Sequence, residues 1–87
     1  MRNFSMYPLG HGNNGKEIEI GKITIYVSYS TVIAYRTPEE GLVARVNDWN
    51  TTTGGHMSAI PGNSKEDRIS GPDFEERFSK MLEDHGL

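Results

Sequence analysis

Residues 51–56 combine the groups with the clearest capacity for binding chemistry in this 87-residue chain. Three hydroxyls, a glycine pair and an imidazole follow one another as Thr51, Thr52, Thr53, Gly54, Gly55 and His56. If a helix starts at the threonines, its free backbone amides and hydroxyls can hold an anion or a phosphate group, and the glycines let such a ligand approach the backbone. The segment lacks the lysine and spacing of a P-loop, and it does not follow the dinucleotide-binding G-x-G-x-x-G pattern. In the structural alternative, a threonine caps the helix and His56 hydrogen-bonds within the fold.

A second group of residues is suited to contact with a partner protein. Trp49 follows the last predicted strand; tryptophan is enriched in protein interfaces, although it could equally cover the sheet as part of the core. Tyr26 shares a strand face with Thr24 and Ser28, a surface that can receive a peptide or stack a base but that β-propensity alone also explains. The acidic candidates lie in the predicted C-terminal helix, where a solvated helix face is the alternative: Glu75, Glu76, Glu83 and Asp84.

Neither a catalytic site nor a metal site is predicted. His11, His56 and His85 are far apart, and no pair shows the i, i+4 or H-x-H spacing of metal ligands. The chain has no cysteine, which excludes disulfides and thiolate ligands. Its serines occur without the G-x-S-x-G motif of a hydrolase nucleophile. We therefore expect a protein that is not an enzyme and that uses no cofactor.

The charge distribution argues against nucleic acid as the partner. The net charge is −3, and it divides into +1 for residues 1–46 and −4 for residues 47–87. A nucleic-acid binder is expected to show a basic stripe, because phosphate neutralisation supplies most of its non-specific affinity. The acidic C-terminal half could instead face a basic surface of another protein. Because the chain has no cysteine and no run of about 18 to 20 apolar residues, we expect no membrane contact and a cytoplasmic location.

The central part of the chain is patterned as β-strands. Residues 22–29 alternate Ile and Val with Thr, Tyr and Ser, which is the period of a strand with one buried face. Residues 31–36 and 42–46 continue in the same style on either side of the turn sequence TPEEG. Residues 17–20 extend the first strand or add a fourth, with Gly21 as a bend or bulge. Such short connections cannot make parallel crossovers, so the strands form an antiparallel meander.

The last part of the chain is patterned as an amphipathic helix. Ser70 can cap it, Gly86 can end it, and its apolar face carries Phe74, Phe78, Met81 and Leu82. We therefore predict an α+β fold, a small antiparallel three- to four-stranded meander sheet with a short helix at residues 51–60 and the C-terminal helix packed on one face. We expect residues 17–87 to form a single domain and residues 1–16, rich in glycine and asparagine, to form a flexible or loosely packed start. Within this start, Phe4, Met6 and Leu9 can pack as a short edge segment before Pro8.

Part of the chain resembles small uncharacterised proteins of bacterial and archaeal viruses. The similarity covers roughly residues 26–60, about 40% of the chain, where a strand and a short hairpin are followed by an Asn-x-Trp segment and a helix start of the form Thr-Thr-x-x-His. The residues that carry it are Tyr29, Ser30, Thr31, Asn47, Trp49, Thr52, Thr53 and His56. The resemblance implies a phage context, and with it the host cytoplasm, but no activity.

Three functions of different classes follow from these features. Our leading hypothesis is a phage-type accessory protein, not an enzyme, that binds and inhibits a host factor, because small phage proteins commonly block host proteins, including those of antiviral defence. The second is a protein that sequesters a nucleotide or another small anionic ligand at residues 51–56, with Tyr26 or Trp49 stacked on it. The third, a nucleic-acid-binding module, is least supported because the basic stripe is absent. Self-association would help so small a domain, which buries only about 60–65% of its unfolded surface.

Overall fold

Five antiparallel strands in chain order form the sheet. The computed structural model describes residues 4–10, 12–48 and 51–87, except for the side chains of Thr51 and Thr52. Its strands are β1 (Phe4–Pro8), β2 (Gly15–Ile20), β3 (Ile23–Ser28), β4 (Thr31–Thr37) and β5 (Gly41–Ala44). They are followed by α1 (Thr51–Ser58), a 3-10 turn (Lys65–Asp67) and α2 (Gly71–Asp84). The predicted α+β meander is confirmed, with one strand more than the three to four expected, and that strand lies in the segment expected to be loosely packed.

Tight turns connect β2 to β3, β3 to β4 and β4 to β5. Gly21, at φ +60, opens the two-residue connection that places Ile20 opposite Ile23. It therefore ends β2 and is not a bulge within a longer strand. Tyr29 takes the same role between β3 and β4 at φ 57, a left-handed conformation that is uncommon for a residue with a side chain. Gly41, at φ +72, ends the turn that Pro38 begins.

Over β3, β4 and β5 both faces of the sheet are covered, each by a different helix. Ile25 and Tyr35 pack on one face with Phe74 of α2, whereas Tyr26 packs on the other face with Met57 of α1. We expected both helices on one face, and the structure places them on opposite faces. The physical reason is that β3, β4 and β5 each carry apolar residues at consecutive positions, which point to opposite sides of a sheet. A sheet that is apolar on both sides needs a cover on both.

An irregularity in the pairing of β3 with β4 adds to the α1 side of the core. Tyr26 lies opposite Ala34, but Val27 lies opposite Val32, so Ile33 is an extra residue in β4. Ile33 and Ala34, adjacent in sequence, both belong to the cluster under α1. Both are fully buried. The bulge therefore breaks the strict alternation that the sequence predicted for this strand.

The C-terminal helix has the predicted boundaries. The Ser70 hydroxyl accepts a hydrogen bond from the backbone N–H of Asp73 at 3.3 Å, and a proline occupies the first turn. Phe74 and Met81 are buried on its inner face, and Gly86 follows the helix at φ +70. Within the described parts of the chain, no helix is both long enough and apolar enough to cross a membrane.

The two edges of the sheet differ. Beside β5, the backbone N–H of Ile69 donates to Ala44 O and the N–H of Val46 donates to Ile69 O, both at 2.9 Å. This short parallel bridge covers the C-terminal end of the β5 edge. On the other side, β1 pairs with β2 and has no second neighbour among the described residues. Among the described residues the β1 edge is therefore open along its whole length, and we call it the open edge.

Candidate functional site

The segment at residues 51–56 divides into an inward and an outward half. Thr53 and His56 are buried, with 3% and 2% of their surface exposed. Their side chains meet Ser28 of β3, whose Oγ lies 3.1 Å from Thr53 Oγ1 and 2.6 Å from His56 Nδ1. These polar groups therefore tie α1 to the sheet, as in the structural alternative that the sequence left open.

The backbone of Gly15 packs against the side of the His56 ring that carries Nε2. This Nε2 is buried without a hydrogen-bond partner among the described residues. A Cβ added to Gly15 would come within 2.8 Å of the ring and press against the Leu9 carbonyl. The tautomer with the proton on Nδ1 donates to Ser28 Oγ and leaves a bare lone pair at Nε2, which avoids burying an unpaired N–H. Ser28 is 2% exposed, so no substrate reaches this Ser–His pair in the structure as it stands.

The outward half of the segment lines a cleft. Its volume is about 680 Å³, and we name it the α1 cleft after the helix that forms one wall. Its lining residues come from the end of the sheet, from α1 and from the segment around the 3-10 turn: Val46, Asn47, Gly54, Gly55, Ser58, Lys65 and Arg68. Two of them are cationic and none is acidic. The α1 cleft therefore has a positive lining in a chain whose net charge is −3.

A second cleft, of about 360 Å³, lies between α2 and the β4–β5 turn, and four of its charged or titratable groups lie in two pairs. Arg77 Nη2 donates to Glu40 Oε1 at 2.9 Å, and His85 Nε2 lies 3.5 Å from Glu39 Oε1. The Tyr35 hydroxyl donates to both Glu40 oxygens, at 3.0 and 3.1 Å. Burial, with the hydrogen bond and charge of Glu40, raises the pKa of Tyr35 to about 12, and the same carboxylate raises the pKa of Arg77. These contacts tie α2 to the β4–β5 turn.

The open edge of the sheet carries exposed apolar side chains. Phe4 is 61% exposed, Met6 52% and Tyr7 46%. Phe4 and Met6 lie opposite Ile20 and Ile18, which pack towards α2, so they extend that apolar face past the helix that covers it. Tyr7 points to the other face. Exposed apolar groups on an unpaired strand edge favour contact with another chain.

The structure separates the predicted interface residues. Tyr26 is 3% exposed and lies in the core, so it offers no surface to a partner or a ligand. Glu75 is exposed and forms an ion pair with Arg45 at 3.1 Å. The remaining carboxylates, Glu76, Glu83 and Asp84, are exposed on α2. Trp49 and the side chains of Thr51 and Thr52 lie outside what the structure describes.

One feature was predicted only in part from the sequence, and another was not predicted. Phe4 and Met6 before Pro8 indicated a short edge segment, but the glycines that follow favoured a loosely packed start over a strand of the sheet. Lys65 and Arg68 carry no local signal, because only the folded chain brings them to Gly54 and Gly55.

Within the described ranges, no group of three or more His, Cys, Asp or Glu side chains could hold a metal ion.

Comparisons with known proteins give a family. No curated protein and no solved structure matches the chain. Residues 7–76, from Tyr7 in β1 to Glu76 in α2, match the protein family described as "Family of unknown function (DUF8033)". Because the match covers most of the sequence, this chain belongs to that family.

Proposed function

We propose that this protein is a non-enzymatic binding protein that captures an extended segment of a host protein as a sixth strand along β1. The observation that carries the proposal is the open β1 edge with Phe4 and Met6 exposed beside it. The resemblance to phage and archaeal-virus proteins supports two parts of the proposal: that the partner is a host protein, and that binding inhibits it. The open β1 edge supports the third part, which is that the partner binds as an added strand.

The backbone of β1 supports strand addition. Leu9 N–H donates to Gly15 O at 3.0 Å, so at this position the chain directs its backbone groups towards β2. In an antiparallel strand the backbone N–H and C=O groups of alternate residues point the same way, so those of Tyr7 and Ser5 also point towards β2. The backbone N–H and C=O groups of Phe4 and Met6 then point away from β2, along the open edge. Pro8 contributes only a carbonyl, which limits the open edge to a short stretch.

The side chains beside β1 define the partner's chemistry. On the α2 side, Phe4 and Met6 favour apolar residues. On the other side, Ser5 and Tyr7 lie opposite Glu19 and Glu17, and these carboxylates favour basic residues. A segment added to β1 would alternate between the two faces. We therefore expect a partner strand in which apolar residues alternate with lysine or arginine.

The experiment is a selection from a displayed library of random peptides, followed by affinity measurements. We expect enriched peptides to alternate apolar and basic residues, and their binding to protect the Phe4 and Met6 amides from hydrogen exchange. Met6→Pro removes an outward N–H without removing a β1–β2 bond, and it should weaken binding at least about tenfold, which corresponds to 1.4 kcal/mol.

Two matched variants locate the binding surface. Glu76→Lys with Glu83→Lys changes the exposed face of α2 and should leave peptide affinity within about twofold, because these residues lie away from β1. The proposal fails if this pair abolishes binding while Met6→Pro does not. It also fails if light scattering shows a dimer that Met6→Pro dissociates, since the edge would then be occupied by a second copy of the chain.

A further inference from the structure

We infer that the α1 cleft is a separate binding site, for a small ligand that carries a phosphate group. The cleft is lined by Lys65 and Arg68 without any carboxylate, although acidic residues outnumber basic ones in the chain. This location corrects our expectation that the hydroxyl of Thr53 and the imidazole of His56 would bind an anion. Both are turned into the core.

Arg68 is positioned by a chain of hydrogen bonds. Its Nε donates to Asn63 Oδ1 at 3.3 Å, and Asn63 Nδ2 donates to the carbonyl of Met57 in α1 at 2.9 Å. The guanidinium is thereby tethered to the helix on the opposite wall. A guanidinium held through Nε keeps its terminal nitrogens for a ligand, in the forked geometry that matches phosphate oxygens.

The two cations of the cleft are not neutralised by ion pairs with described residues. Arg45 and Arg77 form ion pairs with Glu75 and Glu40. Within the residues that the structure describes, neither Lys65 nor Arg68 forms an ion pair, which is also true of Lys16, Lys22, Arg36 and Lys80. What distinguishes Lys65 and Arg68 is that both line one cleft without a carboxylate. Two cations facing one cleft without carboxylates repel each other, and a bound anion would relieve that repulsion.

The glycine pair leaves space for the ligand. A Cβ built on Gly55 meets no atom within 4 Å, so the backbone of α1 is open to the cleft at this position. The volume of about 680 Å³ is within the range of sites for small organic ligands. A phosphate between Lys65 and Arg68 would leave room for an attached sugar or base, so the ligand class is a phosphate monoester of nucleotide size.

Titration followed by NMR and calorimetry tests this site. The probes are inorganic phosphate, AMP and adenosine, at low and at physiological salt. We expect AMP to shift the Gly54, Gly55 and Arg68 amide signals in a saturable way, with adenosine at least tenfold weaker. Arg68→Gln should weaken AMP binding at least tenfold without changing Tm, and Gly55→Glu, which adds a carboxylate to the cleft, should abolish it.

The control separates a site from a general charge effect. Lys22→Gln removes one positive charge at the exposed β2–β3 turn and should leave AMP affinity unchanged. Equal losses in Lys22→Gln and Arg68→Gln, shifts that never saturate, or equal binding of adenosine and AMP would each overturn the inference. Met6→Pro should leave AMP binding intact, so failure of the β1 proposal and failure of this one are distinguishable.

Discussion

Ser28 Oγ lies 2.6 Å from His56 Nδ1, and this buried contact fixes the rotation of α1 against the sheet. The surrounding cluster is apolar, and apolar contacts are not directional. A hydrogen bond has a preferred geometry, so it selects one orientation of the helix. In that orientation His56 faces β3, and Gly54 and Gly55 face the α1 cleft. The Ser28–His56 pair therefore positions the proposed phosphate site without touching its ligand.

Loss of the Ser28 hydroxyl should destabilise the protein. Ser28→Ala leaves Nδ1 of the buried imidazole without its partner, and an unpaired buried polar group costs about 1–3 kcal/mol. Urea unfolding followed by circular dichroism measures this change. Ser30→Ala, on the exposed turn that follows, should change the free energy of unfolding by less than about 0.5 kcal/mol. Equal effects of the two substitutions would contradict the role given to Ser28.

Two glycine-to-alanine substitutions should act with opposite sign. At Gly15, the added Cβ meets the His56 ring at 2.8 Å and the Leu9 backbone, so overpacking should cost about 1–3 kcal/mol. At Gly55, the Cβ enters open space within a helix, where alanine is favoured over glycine by about 1 kcal/mol. Thermal unfolding should show a lower Tm for Gly15→Ala and a higher Tm for Gly55→Ala. Two Tm shifts of the same sign would contradict either the close packing around Gly15 or the open space beside Gly55.

Stability should fall at high pH because of Tyr35. Its pKa is raised from 10.0 to about 12 by burial and by Glu40, so the folded state retains the phenolic proton in a range where the unfolded state has lost it. The stabilisation is complete below pH 10 and is lost as pH rises from 10 to about 12. Denaturant unfolding across this range should give a steeper decline for the wild type than for Tyr35→Phe. Tyr29→Phe, at an exposed position, should retain the wild-type slope.

Local patterns in the sequence were sufficient for some elements and not for others. Ser70, Phe74 and Gly86 predict α2 because capping and helical periodicity are properties of neighbouring residues. The bulge at Ile33 could not be predicted, since it depends on the register against Tyr26 and Val27 in another strand. The α1 cleft is even harder to predict from the sequence. Gly55 and Arg68 meet there only after the chain between them has folded back, and no pattern in either segment indicates the other.

Replacing the exposed apolar residues of β1 should separate stability from binding. Phe4 and Met6 are more than half exposed, so Phe4→Ser with Met6→Ser should change the free energy of unfolding by less than about 1 kcal/mol. Phe74→Ala, at a fully buried position of α2, should cost about 3–5 kcal/mol. Urea unfolding compares the two, and the library-selected peptides report binding. The β1 variant should remain folded and lose peptide affinity, because it removes apolar contacts that serve the partner and not the core. A large loss of stability in that variant would instead show that Phe4 and Met6 belong to the fold.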